Sequence, residues 1–179
     1  ATLDMVSGGR TIVGVGVGGL RSEFDALGRD FSQRGIYTDE SIDVMKVLWT
    51  QEDCTFEGDF VHFTGMTFSP KPLQKPHPPL WVGGRSRAAI NRVVARANGW
   101  HPTALSPLEM TKGIDILKAK LNEANRDISE LALSVRTELD VLDVENKHKD
   151  GSMVGTSDQL MRVIDDYRNL GVEEMIFSV

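Results

Sequence analysis

The sequence predicts an α/β fold built on a parallel sheet, and three observations carry that reading. Short apolar or β-branched runs at 11–17, 79–83, 131–142 and 172–179 alternate with stretches of helical period. The first run, Thr-Ile-Val-Gly-Val-Gly-Val, is apolar throughout, the pattern of a strand covered on both faces. Glycines stand where strands end, at Gly16, Gly18, Gly83 and Gly84, and helices are expected to start just beyond.

Residues 1–9 read as the end of a helix, with Leu3, Met5 and Val6 followed by Gly8-Gly9. After the strand at 11–17, residues 38–49 place Ile42, Met45, Leu48 and Trp49 on one helical face. Asp39 and Glu40 are then expected in the first turn, where the helix dipole favours negative charge. From Thr55 to Phe68 the chain reads as a hairpin turning at Gly58-Asp59. Five of the seven prolines fall between Pro70 and Pro79, so this stretch is an extended surface connection. Leu80-Trp81-Val82 enters a buried strand, followed by a helix at 87–97 with Ile90, Val93, Val94 and Ala97 inward. A strand at 99–101, a helix at 107–125 and a strand at 131–142 come next. A polar loop at 145–152 precedes a helix at 157–169 capped by Ser157 or Thr156, and residues 172–179 form the last strand. Both ends read as cut, which suggests part of a larger barrel or sheet.

Length and composition fit one domain over residues 1–179, with an insertion at 51–79. A net charge of −6 argues against a nucleic-acid partner, since phosphate neutralisation needs clustered Lys and Arg. A single cysteine, Cys54, excludes an internal disulfide and any multi-cysteine metal site; it has no evident base nearby. No pair of histidines has metal-ligand spacing, and no run of about 18 apolar residues suggests a membrane span. A cytoplasmic protein is the expectation.

Two glycine motifs carry the functional reading. Gly14-x-Gly16-x-x-Gly19 matches a dinucleotide fingerprint, but the second strand with an acidic residue that such a site needs is missing. A packed strand end and a cofactor-facing strand end stay open as alternatives, and Glu23 just beyond could face a cofactor or cap a helix. In Trp81-Val82-Gly83-Gly84-Arg85-Ser86 a strand opens into a helix through two glycines. Backbone N–H groups, the helix dipole and Arg85 there form a candidate anion site. His62, His77 and His148 are expected in exposed connections, whereas His101 closes a strand and is the candidate for lining a pocket.

These residues together resemble the bacterial luciferase-like monooxygenase family. The matching stretches include Gly14-Val15-Gly16-Val17-Gly18-Gly19, Glu23-Phe24, Arg34-Gly35 and Leu48-Trp49-Thr50. Further along come Pro70-Lys71-Pro72-Leu73-Gln74, Pro76-His77-Pro78-Pro79, Trp81-Val82-Gly83-Gly84 and Gly99-Trp100-His101-Pro102. The resemblance implies a partial TIM (β/α)8 barrel with strands four to eight present and strands one to three missing. It implies a flavin- or F-420-dependent oxidoreductase or monooxygenase acting on a small molecule, with FMN or the deazaflavin coenzyme F-420 as cofactor. By the same resemblance Gly83, Gly84, Arg85 and Ser86 hold the cofactor phosphate, while Gly16, Gly18 and Glu23 line the flavin. At Gly19 many members carry a bulky aromatic, so the sequence departs from the pattern there. The catalytic acid and base of the family come from early strands and are not identified in this chain. A non-catalytic half-barrel or association module that binds no flavin is the rival. In either case the uncovered barrel edges are expected to bring copies together as a homo-oligomer.

Overall fold

A computed structural model describes residues 1–145 and 153–178. The chain divides into two compact units, residues 1–80 and 81–179.

In the first unit α1 (Thr2–Val6) precedes β1 (Val13–Val15). α2 (Arg21–Ala26), a 3₁₀ turn at Phe31–Gln33 and α3 (Arg34–Thr50) follow. A hairpin of β2 (Cys54–Glu57) and β3 (His62–Met66) comes next. The hairpin is antiparallel and turns through residues 58–61, as its sequence predicts, closed by the Gly58 N–H on the Val61 carbonyl at 3.0 Å. The proline stretch, expected to be an extended surface connection, instead bends at Pro70 and through residues 73–78, buries Pro72 and Pro78, and contains two cis peptide bonds, Ser69–Pro70 and Lys75–Pro76. It is tied to the N-terminal segment by Asp4, which is fully buried and accepts from the Gln74 backbone N–H at 3.0 Å and the Gln74 Nε2 at 2.7 Å. The backbone bond from Gln74 is the main reason the Asp4 carboxyl is held below its usual range.

Two expectations for this unit need correction. The strand expected at 11–17 shortens to three residues, with Val13 and Val15 half-buried and Gly14 exposed. Its Val13 N–H donates to the Pro79 carbonyl at 2.8 Å, but Ile12, Gly14 and Gly16 are exposed, so the apolar run is not a strand buried on both sides. The helix expected from residue 38 starts at Arg34, so Asp39 and Glu40 lie beyond its first turn. Glu40 has a different task. Its Oε2 accepts from the Asp59 N–H at 2.8 Å, and its Oε1 from the N–H groups of Phe60 and Val61 at 2.9 and 2.7 Å. A side chain at Gly58 would put Cβ 2.5 Å from the Glu40 Cδ, so the turn needs glycine there to admit the carboxylate.

The second unit follows the predicted alternation. β4 (Leu80–Gly83), α4 (Arg87–Arg96), β5 (Gly99–His101) and α5 (Pro107–Glu123) lead to β6 (Ala132–Val141). β7 (Met153–Gly155), α6 (Ser157–Asn169) and β8 (Glu174–Ser178) complete it. β4 pairs with β5, β5 with β6, and β6 with both β7 and β8, every pair parallel. The sheet is open, and the described strands form no closed barrel. α5 begins with a capping box of Ser106 and Glu109 and buries Met110, Ile114, Leu117 and Leu121, one stripe at helical spacing. α6 is capped by Thr156, one of the two residues expected. The loop expected at 145–152 lies outside the described residues apart from exposed Glu145, and His148 lies outside them as well. β7 was not expected, because three residues are too few to show a period.

Two tryptophan–glycine contacts organise the core of this unit. Trp81 stands beside Gly99 in the β4–β5 register, and a Cβ at Gly99 would lie 2.4 Å from the Trp81 ring. Trp100 is fully buried against α5, where a Cβ at Gly113 would lie 2.3 Å from its ring. Its indole Nε1 donates to the Gly84 carbonyl at 2.9 Å, so the core ring also holds the turn that follows β4.

Candidate functional site

In the first unit the chain leaves β1 through Gly16 and Gly18 and turns into α2. Gly18 has φ +76°, and a Cβ there would meet the Phe24 ring at 2.8 Å, so only glycine suits the position. Gly16, Gly18 and Glu23 line one cavity of about 720 Å³. Phe24, Tyr37 and Phe60 add apolar wall, and Arg29 and Arg34 add positive charge. The strand end with its two glycines and Glu23 is thus brought together as the sequence suggests. The dinucleotide reading of Gly14-x-Gly16-x-x-Gly19 has no support here: the next strand, β2, belongs to an antiparallel hairpin. The two arginines were not singled out as site residues. A local signal existed, since Phe31 and Tyr37 interleave with Arg29 and Arg34, but neither periodicity nor charge says which rings those guanidiniums meet.

In the second unit Gly83, Gly84, Arg85 and Ser86 form the turn from β4 into α4. Gly84 sits at φ +99°, a conformation side chains rarely adopt, and a Cβ would stand 3.1 Å from that of Ala89. The Ser86 hydroxyl caps α4 by accepting from the Ala89 N–H at 3.2 Å. The Arg87 and Ala88 N–H groups of the first turn have no partner within the helix, which leaves two backbone donors beside an exposed arginine. Arg85 Nη1 lies 3.9 Å from Glu109 Oε1, a long contact between two exposed groups. The Glu109 carboxyl is held low mainly by the Ser106 backbone N–H, then by the Ser106 hydroxyl and Arg85. This donor set fits an oxyanion such as a phosphate.

His101 closes β5, and its ring stands 6.0 Å from that of Trp81. Its Nδ1 lies 2.8 Å from the hydroxyl of fully buried Ser134, which itself reaches the Trp100 carbonyl at 3.4 Å. If Ser134 gives its proton to that carbonyl, its oxygen accepts from Nδ1–H, and the Nε2 lone pair of His101 stays available. Burial lowers the His101 pKa first and nearby Arg136 lowers it further, against Glu174, so the neutral ring is favoured.

The other candidates separate. His62 is exposed on β3 and meets Glu57 at 3.1 Å. His77 is half-buried and leans on Trp49, with ring centroids 6.0 Å apart, rather than standing in solvent. Cys54 is buried, and the group beside its thiol is the Lys71 Nζ at 3.9 Å, an ammonium that donates and is not a base. Lys71 is a cap for α3: it donates to the carbonyls of Leu48 and Gln51 at the end of that helix. Sequence reading missed it because 20 residues separate Lys71 from Gln51. Among the described residues no cluster of His, Cys, Asp or Glu could hold a metal ion, and no helix is long and apolar enough to cross a membrane.

The sequence model of the family described as luciferase-like monooxygenase matches residues 1–146. An FMNH2-dependent dimethylsulfone monooxygenase of Pseudomonas putida is 39% identical over 124 residues, 67% of this chain and 34% of that protein. The chain therefore spans about a third of that relative's length. Among solved structures, a monooxygenase from Streptomyces bottropensis superposes with a TM-score of 0.84 at 21% identity, covering 100% of this chain and 64% of that one. An F420-dependent secondary alcohol dehydrogenase superposes at 0.83 and 19% identity, covering 99% and 66%. At such identities the two structures speak for the fold alone.

Proposed function

The chain belongs to the luciferase-like monooxygenase family, and from that premise we propose that it is a cytoplasmic flavin- or F-420-dependent oxidoreductase acting on a small molecule. In this reading residues 1–179 are one partial barrel domain that contributes strands four to eight. When bound, the reduced flavin or deazaflavin supplies the hydride or activates oxygen. Gly83, Gly84, Arg85 and Ser86 hold its phosphate, with the Arg87 and Ala88 N–H groups as further donors. Gly16, Gly18 and Glu23 are the residues assigned to the flavin ring, and His101 is assigned to the substrate side by its place at the end of β5, with Nε2 able to accept a proton.

The observation that carries this reading is the turn after β4. Gly84 takes a left-handed conformation, its carbonyl is held by Trp100, and the Arg87 and Ala88 N–H groups have no partner within α4. Titration of the protein with FMN and with F-420, followed by fluorescence, tests it. Gly84→Val should weaken binding roughly tenfold or more, because a branched side chain opposes the positive φ and blocks close backbone approach. Unchanged affinity in that variant would remove the phosphate assignment. Protein that binds neither compound would leave the rival, an association module without flavin.

Association between copies is the second part of the proposal. β8 pairs with β6 alone among the described strands, and it exposes Ile176 at 45% and Phe177 at 39%. A strand with one free edge and apolar side chains in water favours pairing with a second copy. Light scattering at micromolar concentration should show a dimer or larger assembly; a monomer stable to dilution refutes the association.

A further inference from the structure

One cross-strand row of the second unit gathers groups that handle protons. The β4–β5 register pairs Gly83 with His101, and the β6–β8 register pairs Ser134 with Glu174. The β5–β6 register, continued by one residue, sets His101 beside Ser134, so the four residues share one face of the sheet. His101 is half-buried, and Gly83 on its β4 side offers no side chain. Its Nδ1 meets the Ser134 hydroxyl at 2.8 Å, while its Nε2 has no hydrogen-bond partner among the described residues. Ser134 is fully buried, and its hydroxyl reaches one other group, the Trp100 carbonyl at 3.4 Å.

A hydroxyl has one proton to give, so these two contacts decide the tautomer together. With that proton on the Trp100 carbonyl, the oxygen accepts from Nδ1–H, and both contacts are hydrogen bonds. With the proton turned to Nδ1 instead, the Trp100 contact is lost and the ring's only lone pair is spent inside the protein. The first arrangement has a second advantage. When Nε2 gains a proton, Nδ1–H keeps donating to the same oxygen, and nothing buried has to turn.

We propose that Ser134 is a positioning residue: it holds neutral His101 as the Nδ1–H tautomer and keeps Nε2 as the acceptor of a proton from a substrate O–H or N–H. The new N–H bond forms at Nε2 as the substrate's bond to hydrogen breaks, and the electron pair of that bond stays on the substrate atom. Burial first, and then Arg136 of β6, favour the neutral ring, while Glu174 of β8 supports the charged one. Glu138 and Asp140 lie further along the same face of β6, and neither β4 nor β7 brings a titratable group. The inference rests on the functional reading above only in calling the donor of the proton a substrate.

Nitrogen NMR of the whole chain with labelled histidine, without added cofactor, is the test, and His101→Gln identifies the signals. At mildly alkaline pH, where the ring is neutral, wild-type His101 should carry its proton on Nδ1 and leave Nε2 bare. Ser134→Ala should move the ring toward the Nε2–H form that imidazole prefers in water, and Ser134→Thr, which keeps a hydroxyl, should restore Nδ1–H. Diethyl pyrocarbonate attacks a bare imidazole nitrogen, so its rate at each histidine, followed by mass spectrometry, reads the chemical consequence. Ser134→Ala should slow modification of His101 several-fold relative to exposed His62, because the bare nitrogen is then Nδ1, turned toward residue 134. Should the added methyl of Ser134→Thr prevent folding, the wild-type spectrum and the alanine variant still decide. Gly84→Val should lower FMN affinity without moving the His101 signals, so the cofactor reading and this one fail separately. The proposal is overturned if wild-type His101 carries its proton on Nε2, or if Ser134→Ala changes neither the tautomer nor the relative rate.

Discussion

Trp100→Ala is expected to destabilise the second unit by about 3–5 kcal/mol, the usual range for removing a large buried aromatic. The side chain is fully buried, and α5 has been shaped to it by Gly113, which has no room for even a methyl group. The cavity left behind cannot be filled by Gly113, and the Gly84 carbonyl loses its indole donor. The consequence extends to function, because the same bond steadies the turn proposed to hold phosphate. Trp100→Phe separates the two effects: it should recover much of the packing while leaving Gly84 unheld, so stability returns further than FMN affinity does. Chemical denaturation and FMN titration on both variants check this. A loss below about 1 kcal/mol for Trp100→Ala would show that the ring is not central to the core.

Glu40→Ala should cost about 2–4 kcal/mol, the second largest effect expected in the molecule. One carboxylate accepts three backbone N–H groups of the hairpin turn, and hydrogen bonds to a charged acceptor contribute about 1.5–3 kcal/mol each before non-additivity and water access reduce the sum. Denaturation would give the energy, and amide exchange would give the location. Faster exchange should appear at Asp59, Phe60 and Val61, with the helix end of α3 unaffected. Glu40→Gln, which keeps one carbonyl acceptor, should fall between wild type and alanine. Unchanged exchange at all three amides in Glu40→Ala would mean the turn holds itself.

Much of the element order was readable because periodicity is a local property. The stripe Met110, Ile114, Leu117 and Leu121 marks α5 within a single stretch of chain, and Ser106 with Glu109 marks its start. The apolar run before Gly83-Gly84 marks β4 in the same way, and Gly58-Asp59 marks the boundary between β2 and β3. Reading failed where an element was too short to have a period, as in β7, or where alternate residues of an apolar run stand exposed, as in β1. The candidate site was legible to the same degree. Gly16, Gly18 and Glu23 come together on one cavity, and residues 83–86 form the expected turn, but the aromatics interleaved with Arg29 and Arg34 did not say which rings those guanidiniums meet.

The sequence by itself determined that this protein alternates strand and helix, that its main strands run parallel, and that strand ends rich in glycine are its chemically promising positions. Each of those follows from neighbours within about ten residues, where backbone sterics and side-chain period act directly. Only the tertiary structure decided which groups meet across long stretches of chain. Glu40 finds the amides of residues 59–61, Asp4 finds Gln74, Lys71 finds the end of α3, and Trp100 finds both Gly84 and Gly113. The reason is physical: a buried acceptor or a tightly packed ring is satisfied by whatever the folded path brings within about 3 Å. That path is set by the packing of all the elements together rather than by any one of them.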